Sequence, residues 1–264
     1  MAEYREEHFD VNGIDTAVLI AGDGDPLVYF HGAGTVTGFD AMLPLAERFR
    51  LIVPIHPGFG ASADDPSIDS IQDYVLHYLD LFDVLGLDEV SLVSLSGGSY
   101  MAAWFSIYET QRVRRLVLGA PLGLRNAEHP TVDLFSVPDA ELLSYLTADM
   151  SLFEGKVPMP PTPEFLAERY RESTSWARVA WNRPYDIKLP RWLHRITMPT
   201  LILWGDADRL IPVGQAETWA ELIPGAEVKI LPGIGHLMFD ESSEALDAVA
   251  EFVGEGAGVL TKEG

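Results

Sequence analysis

Short apolar runs rich in β-branched residues alternate along the chain with segments whose apolar residues recur every three to four positions. The runs predict strands and the periodic segments predict helices. Several strand candidates are hydrophobic throughout, which is typical of a mostly parallel sheet covered by helices on both faces. The predicted strands are 14–20, 27–30, 51–55, 89–95, 113–118, 200–204 and 227–231, with 4–10 as an antiparallel partner of the second strand. The predicted helices are 71–86, 97–110, 213–223 and 240–253.

The alternation stops between residues 122 and 196, where nothing resembles a strand of the main sheet. Two pieces, 139–150 and 163–181, have helical spacing, and a cluster of prolines lies between them. We interpret this region as an insertion over one edge of the core. The predicted domains are a core, 1–121 with 197–264, and a helical cap, 122–196.

The insertion also contains three tryptophans, of which Trp176 and Trp181 lie on its second predicted helix. These rings either pack into a small core of their own or line a substrate pocket, and the sequence leaves both readings open. We therefore name Trp176 and Trp181 as candidate substrate-binding residues.

The composition of the 264 residues excludes several classes of protein. A formal charge of −22 argues against a nucleic-acid partner, because binding to phosphates needs clustered Lys and Arg. The absence of cysteine excludes disulfide and thiolate chemistry and fits a cytoplasmic protein. The N-terminus lacks the pattern of a signal peptide, and no apolar run approaches a membrane span, so we expect no membrane association. We expect a monomer or homodimer, with a Gly-rich tail that frays after residue 252.

The candidate nucleophile is Ser96, in Ser94-Leu95-Ser96-Gly97-Gly98 at the junction of a predicted strand and helix. A tight turn there exposes the serine and tolerates only small residues two positions before and after it. Ser94 and Gly98 satisfy that rule, although the usual motif has glycine at the first of these positions. The alternatives are a flexible loop with a capping serine, or catalysis by Ser94 or Ser99.

A serine hydroxyl needs a neighbouring imidazole as base and a carboxylate that orients the base. His236 follows the last predicted strand in a glycine-flexed loop, and Asp208 follows the strand before it. Asp206 is an alternative acid, but it fits better as a group that caps its own turn. The order along the chain, Ser96, Asp208 and then His236, is the one expected of a serine hydrolase built on a mostly parallel sheet.

An oxyanion hole is predicted from the backbone N–H groups of Ala33 and Gly97. Ala33 lies directly after the strand 27–30, in His31-Gly32-Ala33-Gly34, where His31 is expected to have a structural role. The glycines in this stretch also resemble a dinucleotide-binding turn. Their spacing differs from that motif, and no acidic residue for a ribose lies about 20 residues on, so nucleotide binding is disfavoured.

With these residues in place, the chain from about residue 4 to residue 252 resembles the α/β-hydrolase superfamily. The resemblance implies an eight-stranded, mostly parallel sheet with a cap inserted after the sixth strand, and hydrolysis through an acyl-enzyme without cofactor or metal. His56 departs from the aspartate common in the family, and we interpret it as structuring its loop. The landmarks are His31-Gly32-Ala33-Gly34, His56-Pro57-Gly58-Phe59-Gly60-Ala61-Ser62, Ser94-Leu95-Ser96-Gly97-Gly98, Gly205-Asp206-Ala207-Asp208 and Gly235-His236.

The function we predict is hydrolysis of small-molecule carboxylic esters with small to medium acyl chains. Serine at position 96 disfavours epoxide hydrolases and haloalkane dehalogenases, which need a carboxylate nucleophile. The same three residues are compatible with a C–C bond hydrolase of the meta-cleavage-product type, a lactonase or a perhydrolase. A ligand-binding sensor on the same scaffold is the alternative from another class.

Overall fold

A computed structural model describes residues 2–255, without the side chains of residues 139 and 140. Eight strands form one sheet in the order β1-β2-β4-β3-β5-β6-β7-β8. Their number and sequence positions confirm the predicted strands, with ends that differ by one or two residues. The strands are β1 Arg5–Val11, β2 Ile14–Ala21, β3 Asp25–Phe30, β4 Phe49–Pro54, β5 Val90–Leu95, β6 Val113–Gly119, β7 Thr200–Gly205 and β8 Glu227–Leu231.

The sheet is antiparallel at one edge and parallel elsewhere. β1 and β2 form a hairpin through Asn12 and Gly13, which both have positive φ, as a two-residue hairpin turn requires. β2 also pairs with β4 in antiparallel fashion, and all later pairs are parallel. Because β3, β5, β6, β7 and β8 are parallel, their carboxyl ends all lie on the same side of the sheet, where the strands end. The predicted sites follow four of these strands.

Residues 2–255 contain seven α-helices and five 3₁₀ helices, and the last two α-helices follow the final strand. Ser70 and Asp73 form a capping box at the start of the first helix, and Gly86 ends that helix in a left-handed conformation. The helices are α1 Ile71–Leu85, α2 Gly97–Tyr108, α3 Asp139–Leu146, α4 Pro163–Ala180, α5 Gln215–Leu222, α6 Met238–Glu241 and α7 Ser243–Gly254.

The helix predictions were wrong in three places. The predicted helix 240–253 is two helices, because Ser242 is extended between α6 and α7 and caps the second. The helix predicted over 139–150 ends at Leu146. The 3₁₀ helix Asp40–Glu47, which contains Pro44, was not predicted. The tail was expected to fray after residue 252, but α7 continues to Gly254, so this expectation is wrong for those two residues. The rest of the expectation concerns residues 256–264, which lie outside the described residues.

The segment 122–196, called the insertion below, lies between β6 and β7 in the chain and carries α3 and α4. Among its described residues no strand joins the main sheet, and one isolated bridge joins Gly123 to Tyr185. Its separation from the core as a cap domain stays a prediction. Within residues 2–255, no helix is both long enough and apolar enough to cross a bilayer.

Candidate active site

Ser96 occupies the turn between β5 and α2 with a strained backbone. Its φ of 56° and ψ of −119° lie in a region that residues other than glycine rarely adopt. The N–H of Ser96 donates to the Gly119 carbonyl (2.9 Å), and its own carbonyl accepts from the N–H groups of Ser99 and Leu122. These bonds hold the strained turn between two neighbouring strands, as expected for a serine presented at the edge of a sheet.

The residues on either side of Ser96 meet the predicted size rule. A Cβ at Gly98 would lie under 3.0 Å from the carbonyl oxygens of Phe30 and His31, so a side chain there would collide with backbone. Ser94 is fully buried, and its hydroxyl donates to the Val117 carbonyl at 2.9 Å. The position therefore accepts serine because its hydroxyl finds a partner inside the sheet.

The other two serines of this segment have structural surroundings. The Ser99 hydroxyl lies 2.9 Å from the Ser94 hydroxyl and 3.0 Å from the Gly119 carbonyl, and Ser99 is fully buried. Neither Ser94 nor Ser99 lines the cavity described below, whereas Ser96 does. Ser96 is therefore the serine of this segment that a ligand in that cavity can reach.

His236 and Asp208 form a buried hydrogen-bonded pair. The Nδ1 atom of His236 lies 2.7 Å from Oδ2 of Asp208, and both residues are buried. Because an ionised carboxylate only accepts hydrogen bonds, Nδ1 carries the proton and Nε2 is left with its lone pair. This is the tautomer that a general base needs.

Asp208 is itself fixed by the backbone that follows it. Its Oδ1 atom accepts from the N–H groups of Leu210 and Ile211, both at 2.9 Å. Asp206, the alternative acid, is exposed and accepts from the N–H of Gly233 at 2.6 Å. Asp206 thus ties its turn to the loop that carries His236, while Asp208 contacts the imidazole.

Ser96 and His236 are not hydrogen-bonded to each other. Within residues 2–255, Asp208 is the only residue hydrogen-bonded to the His236 ring. Both segments approach Gly119 of β6. Its carbonyl accepts from the Ser96 N–H, and a Cβ on it would lie 3.5 Å from the sulfur of Met238, two residues after His236. Contacts between a catalytic base and nucleophile are often long without substrate. The structure thus joins Asp208 and His236 directly, while a contact of Ser96 with His236 stays a prediction.

The two predicted oxyanion donors have free N–H groups. Among the backbone and side-chain hydrogen bonds of residues 2–255, none has the N–H of Ala33 or Gly97 as donor. Gly97 is the first residue of α2, where helix geometry leaves N–H groups without internal partners. Ala33 lines the same cavity as Ser96, and Gly97 follows Ser96 directly in the chain.

His31 and His56 support the loop that carries Ala33. His56 donates its backbone N–H to Nε2 of His31 (3.1 Å), and Nε2 of His56 lies 2.7 Å from the His31 carbonyl. The remaining nitrogens contact the Gly32 carbonyl and the Tyr78 hydroxyl. Burial lowers the pKa of His31 to about 4 and that of His56 well below its usual value. Both rings are therefore neutral at pH 7, in the structural roles predicted for them.

A small, largely apolar cavity of about 30 Å³ lies over Ser96. Among the described residues, no lysine or arginine lines it. Its lining consists of Ala33, Ser96, Leu122, Thr131, Val132, Asp133, Leu134, Phe135, Trp176, Ala180, Pro184, Leu210 and Ile211. Eight of these belong to the segment 131–184 of the insertion, so the insertion forms one wall.

The two tryptophans named from the sequence have different surroundings. Trp176 is buried and lines the cavity, and a Cβ at Gly97 would lie 2.6 Å from its ring. Trp181 is 66% exposed, packs against Phe135 with ring centroids 5.1 Å apart, and does not line the cavity. The structure thus separates the two candidates, which the sequence could not do.

Sequence reasoning missed Glu172, a buried residue of α4 that contacts the loops after β3 and β4. It also missed Leu210 and Ile211, which line the cavity directly after Asp208. Glu172 follows the ordinary pattern of a polar residue on an amphipathic helix, so no signal in the sequence distinguishes it.

A model of the Alpha/beta hydrolase family matches residues 27–252. The chain belongs to this family. The match spans β3 to α7 and so includes all the predicted catalytic residues, which agrees with the sheet order and with the loop positions of Ser96, Asp208 and His236.

Curated relatives with named activities include two dienoic acid hydrolases. One is 2-hydroxy-6-oxo-6-(2'-aminophenyl)hexa-2,4-dienoic acid hydrolase of Metapseudomonas resinovorans, 26% identical over 97% of this chain and 93% of the relative. The other is 2-hydroxy-6-oxo-2,4-heptadienoate hydrolase of Pseudomonas putida, 30% identical over 85% of this chain and 87% of the relative. Both names describe hydrolysis of dienoic acids.

Solved structures share the fold. A serine hydrolase involved in carbazole degradation superimposes with a TM-score of 0.79 at 24% identity, covering 96% of this chain and 100% of that protein. A 2-hydroxy-6-oxo-6-phenylhexa-2,4-dienoate hydrolase from Rhodococcus gives 0.76 at 20% identity, covering 94% and 98%. At these identities the likeness shows an alpha/beta hydrolase fold and no finer property.

Proposed function

We propose that this alpha/beta hydrolase cleaves uncharged carboxylic esters with small acyl groups, with Ser96 as nucleophile. The observation that carries the proposal is the strained backbone of Ser96 at the floor of an apolar cavity. Strain of this kind persists only where surrounding structure imposes it, and it is concentrated at functional sites. Alternatives in which Ser96 is a loop or capping residue give no reason for that strain.

In the proposed reaction, Nε2 of His236 takes the proton of the Ser96 hydroxyl as its oxygen attacks the ester carbonyl. The carboxylate of Asp208 stabilises the imidazolium that forms, through the 2.7 Å contact to Nδ1. The oxyanion of the tetrahedral intermediate accepts from the N–H groups of Ala33 and Gly97. His236 then protonates the leaving alcohol. In the second half of the reaction His236 takes a proton from the attacking water and returns it to the Ser96 oxygen as the carboxylic acid leaves.

The cavity supports a small uncharged acyl group. Its wall is mostly aliphatic and aromatic, and its charged lining residue is Asp133, which would repel an anion. A carboxylate-bearing substrate would need a compensating cation once desolvated. The formal charge of −22 adds to the repulsion of anionic substrates over longer distances.

The test is turnover of p-nitrophenyl acetate and butyrate by the wild type and by Ser96→Ala. We expect the variant to lose turnover and labelling by a fluorophosphonate probe while it keeps its melting temperature. Ser94→Ala serves as a matched control, because Ser94 is buried and does not line the cavity. Full turnover by Ser96→Ala would remove Ser96 from the mechanism. An inert wild type that fails to label would favour a ligand-binding sensor instead.

A second candidate is hydrolysis of a C–C bond in a 2-hydroxy-6-oxodienoic acid. The observation that favours it is the named activity of the two curated relatives. The cation-poor cavity argues against it, since such substrates carry a carboxylate. A panel that contains p-nitrophenyl esters, lactones and a dienoic ring-fission product separates the candidates by their kcat/KM values. A preference for the dienoic acid by a factor of ten or more, roughly 1.4 kcal/mol, would replace the ester proposal.

A further inference from the structure

A buried carboxylate of the insertion binds the loop that follows β3. Glu172, on α4, is 2% exposed. Its Oε2 atom accepts from the backbone N–H of Thr35 (3.2 Å), and its Oε1 atom accepts from the Thr35 hydroxyl (2.5 Å). Oε1 also accepts from the N–H of Gly60 (3.2 Å). One side chain thus joins the insertion to the loops after β3 and β4.

Arg169, one turn earlier on α4, compensates the charge of Glu172. Its Nη1 lies 2.6 Å from Oε2 and its Nη2 lies 3.1 Å from Oε1 of that carboxylate. Nη2 also donates to the Thr35 hydroxyl at 3.1 Å. A buried carboxylate would be costly without such partners, and with them it becomes a strong, directional acceptor. The arrangement fixes Thr35 through both its backbone and its hydroxyl.

Thr35 lies two residues after Ala33, whose N–H is a proposed oxyanion donor. We propose that Glu172 is a positioning residue that sets the oxyanion hole by holding Thr35. The inference rests on the proposed function. It extends that function, because the position of the Ala33 N–H then depends on the contact of α4 with the loop after β3. Lys156 of the insertion adds a second tie, since its Nζ donates to the Thr37 carbonyl at 2.7 Å.

The alternative is that Glu172 only fastens the insertion to the core. α4 offers a matched comparison, because Arg178 on the same helix pairs with Asp64, which lies outside the loop that carries Ala33. Breaking that pair loosens the same helix without touching Thr35. If Glu172 only fastens the insertion, substitutions in the Glu172–Thr35 contact and in the Arg178–Asp64 pair should lower kcat by similar factors. If Glu172 is a positioning residue, only substitutions of Thr35 or Glu172 should weaken stabilisation of the oxyanion.

The experiment compares Thr35→Val, Thr35→Ser, Glu172→Gln and Asp64→Asn with the wild type on p-nitrophenyl acetate. Thr35→Val is nearly isosteric and leaves the Glu172–Arg169 pair in place, so it guards against misfolding of Glu172→Gln. We expect kcat to fall roughly tenfold to a hundredfold in Thr35→Val and Glu172→Gln, as small misplacements of a catalytic donor do, with little change in KM. Thr35→Ser keeps the hydroxyl and should retain most activity.

The second readout is inhibition by an alkyl trifluoromethyl ketone, which binds serine hydrolases as a tetrahedral oxyanion adduct. Its affinity should fall in parallel with kcat in Thr35→Val and Glu172→Gln, and stay within a factor of about two in Asp64→Asn. Equal losses in Asp64→Asn, or unchanged kcat in Thr35→Val with an active wild type, would overturn the inference. An inert wild type would instead defeat the proposed function, and this inference with it.

Discussion

The imidazole rings of His31 and His56 are stacked with their centroids 3.5 Å apart. Each ring uses both nitrogens in hydrogen bonds that assign its neutral tautomer. Protonation of His31 at Nε2 would remove the acceptor of the His56 backbone N–H. The pair therefore joins the loops after β3 and β4 only while both rings are uncharged.

The first prediction is a loss of stability on the acid side. Burial lowers the pKa of His31 to about 4, while the unfolded chain protonates this residue near 6.5. The contribution of His31 is fully present above pH 6.5 and is lost as the pH falls towards 4. Its size is on the order of 3 kcal/mol. His77, with a pKa also lowered by burial to about 4, acts in the same direction. Urea unfolding between pH 7.5 and 4.5 measures the effect.

Asp240 opposes this trend and supplies the control. Burial raises its pKa to about 6, so its neutral form is favoured in the folded state and its contribution grows as the pH falls below 6. In Asp240→Asn that contribution disappears, and the acid-side loss should become steeper than in the wild type. A free energy of unfolding that stays level or rises from pH 6.5 to 4.5 in Asp240→Asn would contradict the histidine assignment.

The second prediction concerns Asp208→Asn. We expect kcat to fall roughly a thousandfold to ten-thousandfold, because the amide no longer favours the tautomer of His236 with its proton on Nδ1. The new side chain keeps an oxygen for the N–H groups of Leu210 and Ile211, so the fold should survive. Steady-state kinetics on p-nitrophenyl butyrate measure the loss. A larger loss in Asp206→Asn than in Asp208→Asn would reverse the two assignments.

The third prediction concerns the contact of α2 with β3. Gly98→Ala should destabilise the protein by about 1–3 kcal/mol or more, because the added methyl group meets the carbonyls of Phe30 and His31. Gly34→Ala is the comparison, since a Cβ there meets nothing within 4 Å. Thermal unfolding followed by circular dichroism tests both. Equal melting temperatures for the two variants would show that the strand and helix can move apart.

The fourth prediction concerns acyl-chain length. Trp176 lines the cavity, so Trp176→Leu should enlarge it and raise the ratio of hexanoate to acetate turnover severalfold. Trp181→Leu should leave the ratio unchanged, because Trp181 is mostly exposed and lies outside the lining. The measurement is kcat/KM for p-nitrophenyl esters of increasing length. A shift in Trp181→Leu without one in Trp176→Leu would place the acyl group elsewhere.

The main sheet could be predicted because its strands carry a local signal. β5 is buried at every position, so its run of apolar and small residues identifies it without tertiary information. The turn at Ser96 was also predictable, since the close approach of α2 to β3 demands a small residue such as Gly98. The pairing of His236 with Asp208 followed from parallel topology, which brings the ends of β7 and β8 to one edge.

What the sequence could not predict depends on contacts between distant segments. Glu172 bonds to Thr35 across 137 positions, and nothing near either residue marks the contact. Trp176 and Trp181 lie five positions apart on or beside one helix, and only their packing makes one buried and the other exposed.

At position 96 the positive φ favours glycine, whereas the proposed reaction requires the hydroxyl of serine. Glycine would adopt this conformation without cost, so replacing the serine by glycine relieves strain and deletes the hydroxyl in a single step. Selection for thermal robustness alone would drive this position towards glycine. A relative with glycine here should therefore lack the proposed reaction and unfold at a higher temperature than this chain.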